Sequence, residues 1–183
     1  MSYLSELVGA RHSKGQVEKI VRHIEKDQKR FDELLNITLG KDPVLAQYAS
    51  WSLGYCVESH PELAKKHLRR IIDQLSKPAH PAIGRNLAKL LIFVDIPEKF
   101  ETGLIENCFH IVNSLDEPIA NRAYAAYTIE KICKKYPELY QELISCLQAH
   151  SEVASPGMKA VIRKILKGRD KVIASESKKR FII

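Results

Sequence analysis

The chain has 183 residues, 45% of them hydrophobic and 28% charged, which excludes a disordered or collagen-like polymer and leaves enough chain to bury a core. Its longest unbroken apolar run, Leu90 to Val94, falls far short of the roughly 20 residues a bilayer span needs, and the opening Met-Ser-Tyr-Leu-Ser-Glu-Leu-Val lacks the basic-then-apolar order of a secretory leader. The formal net charge of +7 sits at the C-terminal end: residues 159–183 hold nine basic and two acidic residues, and residues 1–158 balance to zero.

In chain order, residues 2–12 read as a short capping helix. Segments 15–27 and 28–39 read as a degenerate helix pair, with Val17, Ile20, Val21 and Ile24 on one stripe. Gly40 then ends a helix, and Asp42-Pro43 opens the next. From there the prolines act as a ruler. Pro43, Pro81, Pro118 and Pro156 lie 38, 37 and 38 residues apart, each ahead of a helical apolar pattern. Pro61, Pro97 and Pro137 follow them by 18, 16 and 19 residues. This spacing predicts first helices near 43–58, 81–95, 118–135 and 156–168. Second helices are expected near 61–76, 97–115 and 137–149. No stretch alternates like a strand.

Alignment on the first prolines places Ser50, Ala88 and Ala125 at one recurring position, where small side chains let helices approach closely. Ala49, Leu53, Ala88, Leu91, Ala125 and Ile129 are expected to be buried. In the second helices Ile71, Cys108 and Cys146 correspond, so these cysteines read as small apolar core residues. The four cysteines form no C-x-x-C pair, and their thiols are expected to be free in a reducing compartment.

The period near 38, the helix-opening prolines and the steps Arg85-Asn86-Leu87-Ala88 and Arg122-Ala123-Tyr124-Ala125 make the chain resemble the HEAT/armadillo-like helical repeat family. The Asp-Val usual near the start of that family's second helix is absent. The resemblance implies an all-α fold, an α-α superhelix of about four helix pairs whose second helices line a concave surface used as a platform for partners. On this reading residues 1–169 form a single domain. Its repeats lie near 13–40, 42–77, 80–115 and 117–150, with a half repeat at 155–168 and a basic tail at 170–183.

No dinucleotide, phosphate-loop, zinc-protease or nucleophile-elbow motif occurs, and no two histidines stand at i, i+4. No catalytic, cofactor-binding or metal residue is therefore assigned, and no enzyme activity or cofactor is expected. Two groups are candidate partner-binding residues. Tyr48, Trp51 and Tyr55 share one helical face, either packed between repeats or open to stack on a base or anchor a peptide. Lys65, Lys66, Arg69 and Arg70 lie in a predicted second helix. They form either a solvated face or, with Lys29 and Arg30, part of a phosphate-binding groove. Glu138 and Glu142, on another second helix, break the uniform sign such a groove would need.

The expected function is that of a cytoplasmic, non-enzymatic scaffold that binds a protein partner or pairs with itself as a homodimer, with no membrane contact. The alternative is nucleic-acid binding through the basic residues. One HEAT-like family consists of DNA glycosylases acting on alkylated purines, but none of their catalytic residues can be placed on this chain. At the C-terminus, Phe181-Ile182-Ile183 either hangs loose or covers the open side of the last repeat.

Overall fold

A computed structural model of the chain describes residues 2–149 and 154–180, with side chains described through Ser175. The helices are α1 Tyr3–Gly9, α2 Lys14–Ile24, α3 Gln28–Thr38, α4 Pro43–Ser59, α5 Leu68–Ser76, α6 Pro81–Leu91, α7 Glu98–Asn113, α8 Ile119–Cys133, α9 Leu139–Ala149 and α10 Pro156–Arg180. A 3-10 segment, Pro61–His67, leads into α5, and no strand occurs among the described residues.

Helix starts follow from local chemistry. The first amides of a helix lack intrahelical acceptors, and a short polar side chain just before them can supply one. The Ser13 hydroxyl accepts from the Gln16 amide, and Asp27 accepts from Lys29 and Arg30. Asp42 accepts from Val44 and Leu45, and His80 Nδ1 accepts from Ala82. Pro43 and Pro81 follow their caps directly, where a missing N–H costs nothing.

Three elements depart from the expected boundaries. The first helix expected to reach 95 stops at Leu91. Pro97 disfavours helical geometry at Ile96, and the chain turns beforehand while keeping Val94 and Ile96 buried. The second helix expected over 61–76 is split into a 3-10 segment and α5, so Lys65 and Lys66 do not share a continuous α-helix with Arg69 and Arg70. The His60 cap position offers no side-chain acceptor to Pro61–His67, and His67 is held from outside the segment by Asp32. The last helix does not end at 168. No proline or further glycine follows Gly168, most of the next twelve residues are Arg, Lys, Ala or Glu, and α10 continues to Arg180. The segment expected to be a tail is therefore helical over most of its length. Phe181–Ile183, expected either to hang loose or to cover the last repeat, lies outside the described residues.

Within the residues expected to form one domain, the contacts separate two compact units, Met1–Gly103 and Leu104–Ile183, with the boundary inside α7. In the first, α4 is the central helix and packs against α1, α2, α3 and α6. Ala49, Leu53, Ala88 and Leu91 are buried as expected. The small Ser50 sits in that contact, and its hydroxyl both donates to the Gln47 carbonyl at 2.7 Å and accepts from Asn86 Nδ2 at 2.8 Å. This buried pair satisfies two polar groups that would otherwise oppose burial.

In the second unit α8, α9 and α10 pack on one another, with Ala125, Ile129, Leu143, Met158 and Ile165 in the core. The buried Arg122 donates from Nε to the Val112 carbonyl at 3.0 Å, supplying a cation and a donor to the last turn of α7. Cys108 is fully buried as its repeat position implies, whereas Cys146 is only half-buried. All four thiols are free, and burial pushes Cys56 and Cys108 up to about 12, keeping them protonated.

Candidate functional site

The seven candidate residues all lie in the first unit but contact different elements. Tyr48, Trp51 and Tyr55 form a half-buried row along α4. The exposed His12, from the link between α1 and α2, stacks on Tyr48 with ring centroids 4.3 Å apart and lies 5.0 Å from Trp51. Tyr55 is covered on one side by Lys89 of α6, whose Nζ stands 4.6 Å from the ring centroid and 3.1 Å from Glu58 Oε2. Each ring of the row therefore has a neighbour from another element.

Tyr55 also borders a pocket of about 360 Å³ between α2 and α4. Val17 and Val21 supply its apolar part, Ser59 closes it from α4, and Lys14, Glu18 and Arg22 surround it. The α2 side follows from helical spacing: Lys14, Val17, Glu18, Val21 and Arg22 recur at intervals of three, four, seven and eight residues. The sequence singled out the valine stripe and Tyr55 separately. Nothing local in the sequence says that the two helices leave a gap where they meet.

The basic run is organised by α3. Gln28, Asp32 and Asn36, one turn apart, form a polar row facing it. Gln28 Nε2 donates to the Leu63 carbonyl at 3.0 Å, and Arg70 donates to Asn36 Oδ1 at 2.9 Å. Between them, the two oxygens of Asp32 receive Lys66 Nζ and His67 Nε2, each at 2.7 Å. Burial alone would raise the Asp32 pKa. Hydrogen bonds from Lys66, His67 and Gln28 outweigh it and hold the carboxyl at about 2. Arg69 pairs with Asp73 at 3.2 Å. Three of the four candidate cations thus have a partner within the fold.

Proline-punctuated helix pairs, small buried residues at one recurring position, and an Asn–Ser bridge between successive first helices are the marks of a helical repeat. A HEAT repeat domain model matches residues 4–169. The chain belongs to the HEAT repeat family. Neither a search of curated proteins nor one of solved structures finds a match. Its fold is accordingly an all-α HEAT-type helical repeat. HEAT repeats are generally non-catalytic scaffolds that commonly mediate protein interactions. Among the described residues no helix is long and apolar enough to cross a membrane.

Proposed function

We propose that this HEAT repeat protein is a non-catalytic scaffold that binds a protein partner, anchored at the pocket between α2 and α4. The observation that carries this reading is the composition of the pocket. Val17, Val21 and the Tyr55 ring offer apolar contact, while Lys14, Glu18 and Arg22 set a rim of mixed sign. Protein interfaces concentrate their affinity in such apolar, aromatic-lined anchors ringed by polar groups. Trp51 and Tyr48 extend the contact area along α4. The pocket lining pairs no serine or cysteine with a histidine, which favours binding over acyl chemistry. Lys65, Lys66, Arg69 and Arg70 act on this reading as a solvated face on which Lys66, Arg69 and Arg70 are paired internally. A reducing cytoplasmic setting accords with the free thiols.

Affinity capture with the full chain tests the proposal, comparing wild type with Tyr55→Ala and Val21→Ser baits shown to melt at the same temperature. Nuclease treatment removes indirect capture. A protein retained at least tenfold more by wild type than by either variant is the expected result. If the retained protein is this chain itself, sedimentation velocity will show a dimer that both variants weaken. Retention indifferent to Tyr55 and Val21 would contradict the pocket assignment.

A further inference from the structure

Four of the nine basic residues at the C-terminal end form one ridge of α10. Lys159, Arg163, Lys167 and Lys171 recur every four residues, and all four side chains are exposed. At 1.5 Å per residue they make a ridge about 18 Å long with a positive charge every ~6 Å. Like charges at this spacing repel and weaken a helix. Yet no carboxylate is paired with any of the four among the described residues. Asp170, the one acid between Lys159 and Lys171, is taken by Arg169, whose Nη2 stands 2.8 Å from Oδ1. The opposite face of the helix, Met158, Val161 and Ile165, is buried, and α10 packs on α8 and α9. The ridge is thus held on a firm backing with its charges unspent, in contrast to Lys66, Arg69 and Arg70, which have partners.

We propose that this ridge binds the phosphate backbone of double-stranded nucleic acid without reading its sequence. A row of uniform sign and regular spacing complements a duplex, which carries one negative charge per roughly 1.7 Å of axis. The contact is assigned to the backbone, because the ridge is a regular row of cations and no Asn or Gln occurs from Pro156 to Arg180 to pair with adenine edges. No aromatic residue occurs from Pro156 to Arg180, so the helix offers no platform for stacking unpaired bases, the usual device of single-strand binders. An anionic membrane is a poorer match. The apolar face that would enter the lipid is already covered by the fold.

Fluorescence anisotropy with the full chain and two 20-base-pair DNA duplexes of unrelated sequence, across a salt series, tests this. Wild type is expected to bind both duplexes within about threefold of each other, with affinity falling steeply with salt. Changing Lys159, Arg163, Lys167 and Lys171 together to Gln is expected to weaken binding at least tenfold at low salt. The log–log salt slope should become shallower by about 3 to 4, from four phosphate contacts at ~0.9 each. The half sets Lys159→Gln with Arg163→Gln, and Lys167→Gln with Lys171→Gln, should each give about half that change, and all-arginine ridges should bind like wild type. Lys19, Lys26, Lys41 and Lys77 to Gln removes the same charge from exposed positions elsewhere and should change affinity less than threefold. Equal losses from both quadruple variants, absence of salt-dependent duplex binding by wild type, a strong sequence preference, or binding only to phosphatidylserine vesicles would each overturn the proposal.

Discussion

Asp32 is the side chain on which the second-helix surface of the first unit turns. It accepts from Gln28, Lys66 and His67, and these bonds hold its pKa at about 2 despite a burial cost in the other direction. Because the folded value lies below the unfolded one, near 3.9, the carboxylate stabilises the fold fully above about pH 4. That contribution fades as pH falls toward 2 and is gone below it. Asp32→Asn should therefore cost about 1.5–3 kcal/mol at pH 7, the range for hydrogen bonds to a charged group. In denaturant melts the gap between variant and wild type should close as the pH is lowered from 4 to 2. A gap that persists unchanged at pH 2 would show that the carboxylate charge is not what matters. This arrangement was not legible from the run Lys65–Arg70 alone. The acid that organises it lies 34 residues away from Lys66, and no local spacing announces it.

At the scale of elements, the proline ruler and the polar caps fixed which segments are helical, because both act on the first turn of the helix that follows them. The positions of small residues likewise anticipated the buried contacts, and they carry an energetic consequence. Leu91 is fully buried, and Leu91→Ala should cost about 2–5 kcal/mol in denaturant melts through lost burial and the cavity left behind. A change below about 0.5 kcal/mol would contradict the repeat register.

The end of α10 was not legible, since Gly168, a poor helix former, sits at the expected boundary. Its role is spatial. A methyl group at 168 would collide with the Glu130 carboxylate of α8, close to the Tyr140 hydroxyl. Burial raises the Glu130 pKa, opposed by Lys134 and Lys164, so the carboxylate sits where its charge is disfavoured. Gly168→Ala in wild type must displace that side chain. In a Glu130→Ala background the same change should stabilise by about 0.5–1 kcal/mol, the helix preference of alanine over glycine. Equal effects of Gly168→Ala in both backgrounds would show that Glu130 is not the reason for the glycine.

At the scale of the whole molecule, the two candidate surfaces lie in different compact units. The pocket and the aromatic row belong to residues 1–103, and the cationic ridge of α10 belongs to residues 104–183. The sequence located the charge, because net charge is a sum over residues. It did not locate the pocket, because a gap between α2 and α4 depends on how two separated segments meet. Protein binding at that pocket is the central claim, and site-specific photocrosslinking tests it most directly. A photoreactive residue in place of Ser59, at the pocket edge, should yield one discrete covalent adduct in cells that naturally contain the protein. The adduct should fall sharply when Tyr55→Ala is added, and the same group in place of the exposed Lys41 should yield none. No adduct at Ser59, or the same adduct from both positions regardless of Tyr55, would contradict the account.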